Sequence, residues 1–451
     1  MSRHVRRPSH RAQSVFPSTL RRLTVACLLC AGPAAQALEF GGSVGYEATY
    51  SDNITNEENG TSDWEHTPSL TLGASHESSS YSIDAQYRAQ HRVYAKDTYP
   101  DDTFVSGRTI ARVALLPNTL DWSLSHSSTE TPVNSRRADT PDNSQTTSVL
   151  STGPQARFRL DARTSLGVGA SMQQVTAARS TNDNLRWSAN AALDRSLDAA
   201  TTVGLSLQHT DIDYDSDFGQ DYRSSDLRLT VGREQGARTR LRIEVGGVFV
   251  STDDRPTFTG NGAIVNQGGS DDFNWTGLVS AERELTSTIR GSISASRRVV
   301  DSGSDLGGGI AGGGSSFAGR SDERQSYLQE QVGLSLNRVS ARLDTSLGLS
   351  VYRQTFDGLR EDETRRRITL GARYSIGPRL NLSASGTIEQ VEFEDLDGEE
   401  LRRNVAVGLR WTPWRNLGVS CGVAWNDRDG ARRNGLTYDE TNVSLGVNYG
   451  F

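Results

Sequence analysis

The sequence holds no apolar run long enough to cross a membrane as a helix. A spanning helix needs roughly 20 mostly apolar residues in a row. The best candidate, Leu23 to Ala31, is far shorter, which excludes helical spanning. Apolar residues are scarce overall: 35% of 451, with a mean hydropathy of -0.54, too few for a conventional core of this size. Of three cysteines, two lie in the first 37 residues, so Cys421 stands alone in the rest and an internal disulfide framework is excluded. Lysine is reduced to Lys96. Beyond the first 37 residues histidine occurs at His66, His76, His91, His126 and His209, with no metal-ligand spacing among them.

Such poverty in apolar residues would fit disorder, but those present are ordered by period. In TNVSLGVNYGF, Val443, Leu445, Val447, Tyr449 and Phe451 alternate with small or polar residues. NLGVSCGVAWN puts Leu417, Val419, Cys421, Val423 and Trp425 on one face; RRITLGARYSI does the same with Ile368, Leu370, Ala372, Tyr374 and Ile376. NLRWSANAALD repeats it with Leu185, Trp187, Ala189, Ala191 and Leu193. A two-residue period describes strands with one apolar and one wet face.

Residues 1–37 read as a secretory signal. Arg3, Arg6, Arg7, Arg11, Arg21 and Arg22 form a basic start, Leu23 to Ala31 an apolar stretch, and Ala35-Gln36-Ala37 a small-x-small cleavage pattern. Leu28-Leu29-Cys30 raises lipid attachment, but the large Leu before Cys30 departs from the small residue that lipoprotein processing prefers. Removing six arginines and no acid takes the formal charge from -7 to about -13, and an acidic exported chain is a poor binder of nucleic acid.

The connectors alternate as well. Short links at 77–80, 116–119, 196–199, 235–238, 377–379 and 413–416 take turns with long polar ones at 51–63, 95–103, 131–145, 253–272 and 300–323. Between them fit about 20 strands (18–22), an even number as in single-chain bacterial barrels. A soluble sandwich has no reason to shorten every second connector. A transmembrane up-and-down antiparallel barrel does, with short periplasmic turns, long outer loops and interfacial aromatics. Residues 38–451 are therefore expected to form one outer-membrane barrel, with Trp64, Trp122, Trp187, Trp275, Trp411, Trp414 and Trp425 as girdle residues.

Phasing each strand by its apolar residues turns the other face into the lumen. That face is expected to carry Arg88, Arg157, Arg159, Arg186, Arg228, Arg240, Arg242, Arg290, Arg342, Arg365, Arg367, Arg373, Arg402 and Arg410. Asp84, Asp121, Asp161, Asp194, Glu244, Asp344 and Glu389 are their candidate partners. Excess guanidinium suits a pore for anions or acidic sugars; the alternative is ion-pair ladders that brace a wide barrel.

Negative charge gathers outside. DIDYDSDFGQD places Asp211, Asp213, Asp215 and Asp217 at every second position, and EFEDLDGEE crowds Glu392, Glu394, Asp395, Asp397, Glu399 and Glu400. The first looks like a calcium loop but lacks Gly at the sixth and Glu at the twelfth position from any Asp start; a solvated acidic loop that shares divalent ions with lipopolysaccharide is the competing reading. The glycine run at 307–314 lacks phosphate-cradling spacing and reads as a flexible loop able to fold into the lumen. His126-Ser127-Ser128 is the nearest approach to a nucleophile pair, with a polar histidine near headgroups as the alternative.

Near the start, GGSVGYEATYSDNIT followed by WEHTPSLTLGASHESSSYSIDAQYRAQHRVY resembles the outer-membrane β-barrel porins found with exopolysaccharide and PEP-CTERM/exosortase systems. The resemblance rests on Tyr50, Asp52 and Asn53 in a Tyr-x-Asp-Asn step and on Thr67-Pro68. It implies a barrel assisting exopolysaccharide export or surface attachment, partnered by export components, and supplies no catalytic residues. The final strand, with Leu445, Val447, Tyr449 and Phe451, resembles the C-terminal signal read by the outer-membrane barrel assembly machinery. The first strand begins close after Ala37, which argues against a plugged, energised receptor. The expectation is thus a passive channel without cofactor; a structural or adhesive barrel plugged by 300–323 and a lipid-modifying enzyme are the alternatives.

Overall fold

The computed structural model describes residues 38–451 except 135–136, 180–182, 216–220, 254, 259–263, 268, 302–325, 357–361, 395–397 and 431–436. The expected signal and nearly all of the expected plug at 300–323 lie outside the described residues, as do Asp217, Asp395 and Asp397. The wall begins with β1 (Glu39–Ser51), β2 (Asp63–Glu77), β3 (Tyr81–Tyr94), β4 (Asp102–Leu116) and β5 (Leu120–Pro132). It continues with β6 (Ser144–Arg159), β7 (Thr164–Ala177), β8 (Asn184–Ser196), β9 (Thr201–Tyr214), β10 (Tyr222–Gln235) and β11 (Thr239–Thr252). A short hairpin of β12 (Arg255–Phe258) and β13 (Ile264–Gln267) stands within one outer connection. The wall resumes with β14 (Asp271–Glu284), β15 (Ile289–Asp301), β16 (Ser326–Arg338), β17 (Leu343–Phe356) and β18 (Glu363–Gly377). It ends with β19 (Leu380–Phe393), β20 (Gly398–Trp414), β21 (Leu417–Asp429) and β22 (Tyr438–Gly450).

Twenty strands form one antiparallel sheet, closed by β1 against β22 from Ser43↔Gly450 to Ser51↔Asn442. Closure removes the sheet edges, which hydrocarbon would leave without hydrogen-bond partners. The seam is tight at its lower end: Gly42 N–H donates to Phe451 O at 3.0 Å and Phe451 N–H donates to Gly42 O at 2.9 Å. A Cβ on Gly42 would stand 2.6 Å from the Phe451 ring, so glycine lets that ring lie on β1.

The register fixes the phase of every strand. Leu227 and Leu229 on β10, Ile243 and Val245 on β11, and Leu370 on β18 all point outward and stay exposed. An apolar band of this extent fits lipid and not water. Trp64, Trp187, Trp275 and Trp425 lie toward the end with long loops, Trp122, Trp411 and Trp414 toward the end with short turns, and all seven are exposed. They form the two interfacial belts. Leu445, Val447, Tyr449 and Phe451 share the outward phase, and Cys421 is free and exposed.

The short turns fall at 78–80, 117–119, 160–163, 197–200, 236–238, 285–288, 339–342, 378–379 and 415–416. Asn118 and Gly236 supply left-handed backbone there, at φ 60° and 62°. The Asp198 carboxylate accepts the Ala200 and Thr201 N–H groups at 2.7 and 2.8 Å, which holds its pKa below the usual range. Two expected lumen groups, Arg342 and Asp161, lie in these turns instead, because their strands end earlier than the alternation suggests. Conversely, the strands run further outward than expected: Asp211 and Asp213 belong to β9, Glu392 to β19, and Glu399 and Glu400 to β20. Polar residues continue a ladder above the membrane at no cost in backbone hydrogen bonds.

Candidate functional site: the lumen

Arg88, Arg157, Arg159, Arg186, Arg228, Arg240, Arg242, Arg290, Arg365, Arg367, Arg373, Arg402 and Arg410 occupy the inward phase of their strands. The barrel does not bring them into one ring. It sorts them by height and by pairing.

Toward the outer end an ion-paired belt crosses β18 to β22 and reaches β1. Arg365 meets Glu363 at 2.7 Å, and Arg367 meets Glu389 at 2.7 Å. Arg402 bridges Glu389, at 3.9 Å, and Glu400. Arg428 holds Glu400 at 2.5 Å. Asn426 then donates to Glu440 at 3.0 Å, as does the Ser51 hydroxyl at 2.7 Å. On β3, Arg92 lies between Glu130 (2.5 Å) and Asp102 (3.1 Å), 4.5 Å from the centroid of the Phe104 ring. Arg92 and Arg428 were not singled out from sequence, although each extends an inward alternation, Arg92 from Arg88 and Arg428 from Asn426.

Lower down, Arg228 and Arg242 share Glu244, at 3.4 and 2.5 Å, and Arg290 contacts Glu282 and Glu284 at 3.2 and 3.0 Å. Arg88 donates to the Ser69 hydroxyl at 3.2 Å. Arg157, Arg159, Arg373 and Arg410, near the short-turn end, have no ion pair among the described residues. Around Arg410 most inward side chains are small, Ser383 and Ser385 on β19, Gly408 on β20, Ser420 and Gly422 on β21 and Ser444 on β22, with Glu47 on β1 as the carboxylate of the same surface. They border a groove of about 430 Å³.

The third outer connection, 133–143, folds over the belt through its described residues, 133–134 and 137–143. Val133 N–H donates to Asn143 O at 2.6 Å. The Asn143 amide clasps the loop from within, donating to Asn134 O and Ala138 O at 2.8 and 2.9 Å and accepting from Asn134 N–H at 3.0 Å. The closed loop then docks through its backbone carbonyls. Arg428 donates to Arg137 O at 2.9 Å, Asn56 to Asp139 O at 3.0 Å, and Arg179 to Asp142 O at 2.8 Å. Between this loop and the belt lies a chamber of about 880 Å³, within the roughly 300–1,000 Å³ of small-molecule sites.

Two other sequence signals take a different form. His126 faces outward and bonds Tyr87 through Nδ1 at 2.6 Å and Ser148 through Nε2 at 2.9 Å; the Ser128 hydroxyl donates to Val105 O at 2.8 Å. The structure therefore does not join His126 to Ser127 or Ser128. In the outer loops, burial raises the pKa of Asp183 and Asp221, aided by the charge of Asp215 on the first and of Asp253 and Asp211 on the second. Among the described residues no three His, Cys, Asp or Glu side chains are arranged to hold a metal ion.

Closed sheet, lipid-facing band and water-facing interior together define an outer-membrane β-barrel protein. No family model and no curated protein matches the sequence. Among solved structures, the FrpB iron transporter of Neisseria meningitidis (F5-1 variant) is similar over 92% of this chain and 83% of its own, at 11% identity and a TM-score of 0.52. The copper transporter OprC is similar over 92% and 80%, at 11% identity and a TM-score of 0.51. At such identities the likeness concerns the fold.

Proposed function

We infer that the protein is a passive outer-membrane channel for polar solutes, anionic or saccharide, and that it assists exopolysaccharide export. The observation that carries this reading is the inner wall. A wide surface of Ser, Thr and Gly with unpaired arginines at the short-turn mouth serves a water-filled path and has no use in a packed core. Guanidinium groups free of carboxylates concentrate anions at the mouth that faces the periplasm, from which an exported polymer would come. The export role rests on the family resemblance of residues 41–94.

The test is single-channel conductance of purified protein in planar bilayers, with reversal potentials under a salt gradient. Stable steps with anion preference are expected, and Arg373→Gln with Arg410→Gln should lower that preference. No steps, even after removal of residues 303–320, would overturn the channel reading in favour of a structural or adhesive barrel.

A further inference from the structure

We propose that the chamber beneath loop 133–143 is a binding site for an uncharged, oxygen-rich solute, a neutral polyhydroxylated molecule in place of an anion. The assignment deepens the channel reading and rests on it for the route by which solute arrives.

Its first basis is charge. Arg365, Arg367, Arg402 and Arg428 each hold a glutamate, so the belt offers little net positive field. An anion would have to compete with Glu389 or Glu400, which are 5% and 2% exposed and have no water to fall back on. Displacing them would strand a buried carboxylate.

The second basis is direction. The side chains of Arg367 and Arg402 are the more accessible partners, at 25% and 27%, against 7% and 2% for those of Glu389 and Glu400, and both arginines line the chamber. Donors therefore face the chamber with their charge cancelled from behind. The Asn404 and Asn426 amides and the Thr387 hydroxyl add neutral donors and acceptors. A solute hydroxyl can accept from a guanidinium N–H while it donates to an amide or carboxylate oxygen, so it joins the network without breaking a pair.

The third basis is enclosure. Loop 133–143 docks through carbonyl oxygens, and of its charged side chains the ones that line the chamber are Arg137 and Asp139, one of each sign. The roof thus adds no net charge to the belt.

The test compares maltotriose, a neutral polyol, with citrate, a trianion, by isothermal titration of detergent-solubilised protein and by current block in bilayers. Maltotriose should bind and block, with citrate at least tenfold weaker in titration. Glu389→Gln, which uncovers Arg367 and Arg402, should reverse that order. Citrate binding the unaltered protein as tightly as maltotriose would overturn the proposal, as would a Glu389→Gln variant with unchanged preference. If that variant does not fold, Asn404→Ala, which removes a neutral amide bonded to Asn426 and no charge, should weaken maltotriose several-fold; unchanged affinity there also overturns the site. Maltotriose binding without any conductance would keep the site and sink the channel. Conductance without maltotriose binding would do the reverse.

Discussion

The outer and inner halves of the lumen use the same residue, arginine, to opposite ends. On β18 alone, Arg365 and Arg367 near the loops are locked to Glu363 and Glu389, whereas Arg373, a few residues further down, has no ion pair among the described residues. The outer arginines act as pieces of structure: they join neighbouring strands where the wall leaves the membrane and anchor loop 133–143. In the inner half Arg240 and Arg290 are paired too, but Arg157, Arg159, Arg373 and Arg410 have no ion pair among the described residues, and on the proposed channel reading these four lend the mouth its charge. Counting arginines therefore says little about selectivity; what matters is whether a carboxylate sits within reach.

The contrast depends first on the phase of β18, and breaking that phase has the largest effect. Leu370→Arg puts a cation on the lipid face at a cost of about 2–4 kcal/mol and should abolish assembly, read as loss of the heat-modifiable folded band on a gel. Thr369→Arg, one residue away and inward, should assemble. Equal assembly of the two would end the comparison.

Next come matched Arg→Gln changes in the two halves. Arg402→Gln takes a partner from Glu389 and Glu400 and should cost about 1.5–3 kcal/mol, as for hydrogen bonds to charged groups, measured by thermal unfolding in detergent. Arg373→Gln with Arg410→Gln should leave the unfolding temperature nearly unchanged and shift the reversal potential toward zero. An outcome with the two roles exchanged would invert the assignment of brace and mouth.

Removal of residues 134–142 should enlarge the outer half without touching the inner one. Single-channel conductance is expected to rise several-fold while anion preference persists, because the unpaired arginines remain. A loss of preference together with the rise would place the filter in the loop.

The smallest effect is at the turns. Asp198 has a folded-state pKa below its ordinary value of 3.8, chiefly through its bond from the Ala200 N–H. A depressed carboxyl stabilises fully above the unfolded pKa, and the contribution fades as pH falls through the folded one. Asp198→Asn should therefore lower thermal stability slightly at pH 7, with the difference from the unaltered protein vanishing in strong acid. A difference that grew on acidification would contradict the capping role.

Much of this was legible in the sequence because a barrel wall is a local code. Alternation set the phase of Leu370 and Thr369, and connector length set which end faces out; neither needs knowledge of distant contacts. Pairing across strands was not legible. Arg373 and Arg367 look alike in RRRITLGARYSI, and only the register, which sets Glu389 opposite Arg367 and Ser383 opposite Arg373, separates them. Arg428 was missed for a related reason. NDRDG has the composition of a loop, and its partners Glu400 and Arg137 are far away in the chain. The inward fold of 133–143 left no trace either, since its docking uses backbone oxygens, which every sequence has.

The bond from Arg428 to Arg137 joins residues 291 apart. It also spans the seam, for the loop springs from β5 and β6 while its anchor stands on β21, beyond the junction of β1 with β22. A barrel still unzipped at that junction has both partners and cannot bring them together. That anchor of the roof is consequently the last to form, after the Asn56 and Arg179 bonds on the loop's own side of the seam, and a molecule caught before closure has its roof held from one side only. Newly inserted copies should pass through a leaky moment, and any delay in sealing the seam would be felt by the cell as permeability before it was seen as misfolding.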